Sequence, residues 1–126
     1  MRVSVRLSAE TMSGIAKLKE IFEKDPKFSG LRITNGFVVN NAFQNLKKDT
    51  DWKSILLNSP IYFGDVEDLN TEIKTNLTLN DQVVLGINNL KEKLPAITNT
   101  TYVTTPFVIR LIIRAYLIQE KLNDSK

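Results

Sequence analysis

Two seven-residue stretches place polar, hydrogen-bonding side chains at every second position. Residues 2–8 read Arg-Val-Ser-Val-Arg-Leu-Ser, and residues 74–80 read Lys-Thr-Asn-Leu-Thr-Leu-Asn. This period-two alternation predicts a β-strand with one apolar and one polar face. The two polar faces consist of Arg2, Ser4, Arg6, Lys74, Asn76 and Thr78. Such side chains can hydrogen-bond the edges of nucleic-acid bases, although the solvent face of an ordinary edge hairpin also carries them.

The composition argues against most catalytic and metal-binding chemistry. The chain has 126 residues with no cysteine and no histidine, so the usual zinc ligands and the commonest general base are missing. Asp65, Glu67 and Asp68 form an acidic cluster of a type that can bind Mg²⁺. No glycine-rich phosphate loop accompanies this cluster, and we interpret it as a solvated loop. We therefore expect a non-enzymatic protein without a cofactor or a metal site.

The net charge of +3 is unevenly distributed along the chain. Residues 1–48 contain nine Lys or Arg against four Asp or Glu, residues 49–72 contain one against six, and residues 73–126 contain seven against four. The two basic blocks would attract a polyanion and the acidic connector would repel it, although ordinary surface charge explains the same counts. The sequence shows neither a signal peptide nor a membrane-spanning run, so we expect a cytoplasmic protein without a membrane partner.

An amphipathic helix is predicted after each strand. Ser8 and Asn80 are suitable N-caps, and the apolar stripes that follow them share spacings of 3, 3 and 4 residues. The first stripe is Met12, Ile15, Leu18 and Phe22, within residues 9–24, and the second is Val84, Ile87, Leu90 and Leu94, within residues 81–94. Asp25-Pro26 should end the first helix and Pro95 the second.

A further helix is predicted in each half. One begins near Thr34 or Asn35 and extends to residue 47, and the other has Thr105 as its N-cap and Pro106 as its first residue. This final helix is apolar around most of its circumference, which indicates a central position in the core or contact with another subunit. A short helix is also predicted near residues 51–57.

The sequence contains an internal repeat. A shift of 72 residues aligns 14–20 with 86–92, where five of seven residues are identical, including Gly14 and Gly86. Mid-helix glycine costs up to about 1 kcal/mol relative to alanine, so its repetition indicates close backbone approach. A shift of 70 residues aligns the second helices. We interpret 1–48 and 73–122 as two repeats with one shared core, 49–72 as an acidic connector packed on the body, and 123–126 as a frayed tail.

Two related strands are expected to pair antiparallel around a pseudo-twofold axis. The predicted fold is α+β and mostly helical, with a two-stranded antiparallel ribbon over four helices. With these features the chain resembles the ribbon-helix-helix family of DNA-binding proteins, over residues 2–46 and 74–120. The resemblance is carried, in both repeats, by the alternating strand, the capped helix, the loop and the threonine-started second helix. Two repeats in one chain are similar in architecture to the tandem accessory proteins of conjugative-plasmid relaxosomes.

The resemblance implies binding to double-stranded DNA, with the ribbon in the major groove and the starts of the second helices on phosphates. The implied base-contacting residues are Arg2, Ser4, Arg6, Lys74, Asn76 and Thr78. The implied phosphate-contacting residues are Arg32, Thr34, Asn35, Gly36, Thr104 and Thr105. Because the two polar faces differ, we expect a non-palindromic DNA site.

Two biological roles follow from the resemblance. The first is a plasmid relaxosome or maintenance accessory protein, with a relaxase or another plasmid protein as a candidate partner, and the second is a transcriptional repressor. An alternative from a different class is a protein-interaction adaptor that uses the apolar final helix and does not bind DNA. The same helix leaves self-association open.

Overall fold

The fold combines five α-helices and one two-stranded antiparallel sheet within residues 1–66 and 68–122, the residues that the computed structural model describes. In chain order the elements are β1 (Arg2–Ser8), α1 (Ala9–Glu23), a 3-10 helix (Pro26–Phe28), α2 (Asn35–Gln44), α3 (Trp52–Leu57), β2 (Glu72–Thr78), α4 (Asp81–Thr98) and α5 (Thr105–Gln119). The predicted α+β, mostly helical class and the antiparallel ribbon are confirmed. The predicted frayed tail, residues 123–126, lies outside the described residues.

The two strands pair over their whole length, from Arg2 opposite Thr78 to Ser8 opposite Glu72. The predicted second strand, residues 74–80, therefore begins and ends two residues too late. Residues 79 and 80 continue the alternation but lie outside the strand. Leu79 still exchanges hydrogen bonds with Met1, since the Met1 amino group donates to the Leu79 carbonyl at 2.8 Å and the Leu79 N–H donates to the Met1 carbonyl at 2.8 Å.

Helix α5 is the centre of the hydrophobic core. It packs on α1, α2, α3, α4 and β1, and its residues from Val108 to Leu117 are buried except for Arg110, which is half-buried. The apolar surface of α5 is thus covered by its own chain, whereas the adaptor alternative and self-association through this helix require that surface to be exposed. No helix in the described parts of the chain, α5 included, has both the length and the apolar character needed to cross a membrane.

Two helix ends near prolines differ from the prediction. Thr104 rather than Thr105 caps α5, since Thr104 Oγ1 accepts from the Phe107 N–H at 3.4 Å, and Pro106 is the second helical residue. Proline fits either place because first-turn N–H groups have no acceptor within the helix. Pro95 lies inside α4 instead of ending it. This helix ends one turn later at Asn99, whose left-handed conformation (φ 59°) is a common helix terminator.

Helix α2 ends at Gln44, before the predicted residue 47. Its sequence is rich in asparagine, which makes its helix propensity low, and a side chain of α5 replaces the missing helical hydrogen bonds. Gln119 Nε2 donates to the Asn45 carbonyl at 2.7 Å, and the Lys47 N–H donates to Gln119 Oε1 at 2.9 Å. Tertiary contacts therefore set this boundary.

The buried face of the first helix of each half follows the predicted stripe, with one exception in each half. In α1, Ile15, Leu18 and Phe22 are buried, whereas Met12 is only partly buried. In α4 the buried stripe begins at Val83 rather than Val84.

Both repeated glycines lie under side chains of the other half. A Cβ on Gly14 would lie 2.7 Å from Ile113 Cγ2, and a Cβ on Gly86 would overlap the Phe43 ring. The expected close approach is present, but a side chain of α5 or α2 approaches each glycine, rather than a backbone. Close helix packing thus explains why glycine occupies both positions despite its low helix propensity.

Candidate nucleic-acid interface

The six predicted base-contacting side chains lie together on the solvent side of the ribbon. Residues directly opposite each other in an antiparallel pair project from the same face, and the register pairs Arg2 with Thr78, Ser4 with Asn76, and Arg6 with Lys74. All six are exposed. On the other face, Val5, Leu7 and Leu77 are buried in the core. We call the six exposed residues the ribbon face.

The ribbon face carries three cations and no carboxylate. Arg6 lies directly opposite Lys74, and like charges in this position destabilise a sheet. The salt bridges in the described residues involve other cations. The nearest acidic position on this side of the ribbon is Glu72, which is two residues from Lys74 and lies opposite Ser8 in the next pair on the same face. A polyanion over this face would relieve the repulsion between Arg6 and Lys74.

The start of α2 packs directly on β2. Gly36 is buried, and a Cβ there would lie 2.6 Å from the Thr78 carbonyl oxygen and 2.9 Å from the Thr78 nitrogen. Asn40 Nδ2 donates to the same carbonyl at 3.2 Å, and Asn40 Oδ1 accepts from the Asn80 N–H at 3.0 Å. Asn80 occupies the predicted N-cap position of α4, but its own side chain makes no capping hydrogen bond. Asn40, which the sequence analysis did not single out, thus ties α2 to the end of the ribbon.

Substituting Gly36 with alanine is expected to lower the free energy of unfolding by about 1–3 kcal/mol, a typical cost of overpacking. The new methyl group would overlap the backbone of Thr78, which cannot rotate away as a side chain can. Urea unfolding followed by circular dichroism measures the change. Gln44→Ala, at the exposed end of the same helix, is the control. Equal stability of the two variants would contradict the close contact between α2 and β2.

The start of α5 lies on the opposite side of the ribbon, beside β1. A groove of about 620 Å³ separates them, lined by residues 3–6, residues 102–106 and Lys91. The ribbon is therefore flanked by two helix starts, that of α2 next to β2 and that of α5 next to β1. Helix starts carry unpaired N–H groups and a partial positive charge that favour phosphate.

The predicted phosphate-contacting residues differ in exposure. Arg32, Thr34 and Thr104 are exposed, Asn35 and Thr105 are half-buried, and Gly36 is buried against the ribbon. The Thr34 and Thr104 hydroxyls accept from the N–H groups of Phe37 and Phe107, at 3.1 and 3.4 Å. N-capping explains these two threonines without a ligand, so a phosphate would use the remaining N–H groups of the first turn.

Lys91 is a candidate that the sequence analysis missed. Its Nζ donates to Thr105 Oγ1 at 3.3 Å, which brings a positive charge from α4 to the start of α5. Residues 99–104, which precede α5, contain no Lys or Arg. Only the packing of α4 against α5 makes Lys91 part of this side of the ribbon.

A buried ion-pair network supports the interface from within. Glu10 and Arg114 are 5% and 2% exposed. Glu10 Oε1 accepts from Arg114 Nη2 at 2.7 Å and from Arg110 Nε at 2.8 Å, while Oε2 accepts from Arg114 Nε at 2.8 Å and from the Ile61 N–H at 3.1 Å. Arg114 Nη1 donates to backbone carbonyls of the connector, those of Ile55, Leu56 and Asn58. The network therefore joins α1, α5 and the connector.

These donors stabilise the ionised form of Glu10. Burial raises the pKa of Glu10, but the hydrogen bonds from Arg114 and the Ile61 N–H, together with the charge of Arg114, outweigh burial and lower this pKa below 4.5. Because α1 follows directly from β1 at Ser8, the network also fixes α5 relative to the ribbon. Arginines four residues apart in an apolar helix were the available sequence signal.

The acidic cluster is only partly described. Asp65 and Asp68 are exposed, whereas Glu67 lies outside the described residues. Within residues 1–66 and 68–122, no three His, Cys, Asp or Glu side chains are grouped closely enough to hold a metal ion.

No protein-family model matches this chain, and neither a curated protein nor a solved structure matches it. A function must therefore be inferred from the geometry of the chain itself.

Proposed function

We propose that this chain binds double-stranded DNA in a sequence-specific manner, as a tandem ribbon-helix-helix protein. The observation that carries the proposal is the ribbon face, six hydrogen-bonding side chains on one exposed surface flanked by the starts of α2 and α5. A two-stranded ribbon fits the major groove of B-DNA, which is about 12 Å wide. In this position the helix starts on both sides would approach the phosphate backbones.

The strand register supports the tandem part of the proposal. The 72-residue shift that relates the two repeats maps Ser4 onto Asn76, and these two residues are also directly paired. A pseudo-twofold axis through this pair would exchange β1 with β2. The same exchange relates the contact of Gly14 with Ile113 to that of Gly86 with Phe43. Each repeat would then contribute one strand and one helix start to a single interface.

The side chains of the ribbon face suggest how bases are read. Arg6 suits bidentate hydrogen bonding to guanine O6 and N7, and Asn76 suits adenine N6 and N7. Ser4 and Thr78 can act as donors or acceptors, and Lys74 can reach guanine or phosphate. Because one strand presents Arg-Ser-Arg and the other Lys-Asn-Thr, the preferred site should be asymmetric.

Lys91→Ala is expected to weaken DNA binding by a similar factor for every sequence and to reduce the slope of log K against log salt by about 1, as loss of one phosphate contact does. The reason is the position of Lys91 at the start of α5. Fluorescence anisotropy at several salt concentrations measures both quantities. Lys53→Ala is the matched control, because Lys53 is exposed on α3, which does not pack on either strand. An unchanged slope in the Lys91 variant would assign this lysine to helix packing alone.

Two roles are compatible with such binding. A relaxosome or plasmid-maintenance accessory protein would mark a DNA site for a relaxase or another plasmid protein, and a transcriptional repressor would occlude a promoter. Both roles use the same ribbon and need no catalytic group or cofactor. The adaptor alternative has less support, since the apolar face of α5 on which it relied is buried.

Selection from a pool of random-sequence duplexes tests the proposal. The expected result is enrichment of one asymmetric site, bound with strong salt dependence and displaced by duplex rather than by single-stranded competitor. Failure to enrich any sequence would contradict sequence-specific binding. Equal competition by single strands would contradict a ribbon in the major groove.

A further inference from the structure

A second groove lies away from the ribbon, between α2 and α4. Its volume is about 480 Å³, and its lining includes an apolar floor of Phe43, Trp52 and Leu90 and three cations, Lys47, Lys48 and Lys93. Helix α2 begins against the ribbon and has ten residues, which span about 15 Å. The groove at its far end is therefore a separate surface from the ribbon face.

The related groove in the other half is already occupied. Between α1 and α5, residues 61–63 of the connector lie over the surface next to Gly14. Ser13 Oγ accepts from the Phe63 N–H at 2.6 Å and can donate to the Phe63 carbonyl at 3.2 Å. Lys17 Nζ lies 5.8 Å from the centroid of the Phe63 ring, and Glu10 accepts from the Ile61 N–H. Thus an apolar and aromatic segment outside any helix or strand is held by side-chain hydrogen bonds to its backbone at alternate residues, the spacing of an extended chain.

The tandem relation proposed above makes these two grooves equivalent. It maps Gly14 onto Gly86, which belongs to the open groove, and it maps Glu10 and Arg114 onto Gln82 and Gln44, which also line the open groove. The buried ion pair of one groove is thus replaced by two amides, which can donate to and accept from a peptide backbone. Of the connector residues that the structure describes, Trp52 lines the floor of this second copy, and the groove stays open above it.

We propose that the α2–α4 groove docks an extended segment of a partner protein, with an apolar or aromatic side chain on the floor and carboxylates facing Lys47, Lys48 and Lys93. This inference rests on the tandem part of the proposed function. The filled groove provides the precedent for an extended segment with an aromatic anchor, and the three lysines provide the charge complementarity. A DNA duplex is disfavoured as the occupant, because its bases are stacked inside the double helix and its phosphates gain nothing from the apolar floor.

Trp52, the only tryptophan of the chain, reports on this groove. The probe is a synthetic peptide with the sequence of residues 58–68, which combines the 61–63 run with the carboxylates that follow it. We expect saturable peptide binding that changes the Trp52 fluorescence, excited where tyrosine does not absorb. A Lys47→Glu, Lys93→Glu double variant should bind about tenfold more weakly or worse. Lys24→Glu, an exposed charge reversal at the end of α1, should bind like the wild type.

Three results would overturn the docking site: no saturable change, an equal loss in the Lys24 variant, or a short DNA duplex that saturates the Trp52 signal without displacement by peptide. The peptide titration contains no DNA, and the duplex is added only in a separate titration, so the outcome for the peptide is separable from that of the proposed function. Arg6→Ala should bind the peptide normally. If the wild type binds peptide but enriches no duplex, DNA binding is wrong and the docking site stands.

Discussion

Replacing Glu10 with glutamine is expected to lower the free energy of unfolding by about 3–5 kcal/mol, the usual cost of removing one partner from a buried ion pair. Arg114 would stay buried, and its charge would lose the carboxylate that accepts from both Nε and Nη2. The substitution therefore weakens the contacts among α1, α5 and the connector. Urea unfolding of the wild type and the variant at neutral pH measures the change.

Glu20→Gln is the matched control for this substitution. Glu20 lies on the same helix but is exposed, and its ion pairs with Lys17 and Lys24 are long, at 3.9 and 3.8 Å. Exposed pairs of this kind contribute at most about 1 kcal/mol. If both variants lose the same small amount of stability, the buried network does not hold the fold together.

The pH dependence of unfolding gives the same prediction a second readout. The pKa of Glu10 in the folded protein is lowered below 4.5, so the stabilisation from its charge is fully present above that value. It is lost as the pH falls through the lowered pKa, because protonation removes the partner of Arg114. Glu10→Gln should therefore flatten the acid limb of the stability curve. An acid limb identical to that of the wild type would place the titrating group elsewhere.

The second large effect is expected on DNA. Arg6→Ala and Asn76→Ala should each weaken binding to the selected duplex by about 1–3 kcal/mol and relax the base preference at one position. Both side chains are exposed on the ribbon face, so neither substitution opens a cavity. Anisotropy titrations against the selected site and its single-base variants measure both effects.

A loss of protein stability would not explain the weaker DNA binding of Arg6→Ala. Arg6→Ala removes the like charge opposite Lys74 and should leave stability unchanged or slightly increased. Lys53→Ala removes one positive charge from α3, away from the strands, and controls for net charge. Equal weakening by Arg6→Ala and Lys53→Ala, with none by the uncharged substitution Asn76→Ala, would show that net charge, and not the ribbon face, governs binding.

The local pattern of the sequence was sufficient to predict the ribbon. Alternation predicts which side chains of one strand share a face, and antiparallel pairing of the two repeats places Arg6, Ser4 and Asn76 on one surface. Capping chemistry located the starts of α1 and α2 at Ser8 and Thr34 to within one residue. The repeated glycines indicated where the two halves approach closely.

The missed features depend on residues that are far apart in the sequence. Glu10 and Arg114 are 104 residues apart, and Asn40 lies 38 residues from the Thr78 carbonyl that it binds. No local pattern distinguishes such partners from solvated side chains. The predicted ends of β2 and α2 are wrong for the same reason. Pairing with β1 sets the bounds of β2, and Gln119 of α5 satisfies backbone groups beyond the end of α2.

Methylation interference on the selected duplex tests most directly whether the ribbon reads the major groove. Methyl groups on guanine N7 lie in the major groove, whereas those on adenine N3 lie in the minor groove. We predict that N7 methylation at one guanine blocks the wild type and has no further effect on Arg6→Ala, which no longer contacts that base. Interference at adenine N3 alone, or an identical N7 pattern for both proteins, would contradict base readout by the ribbon.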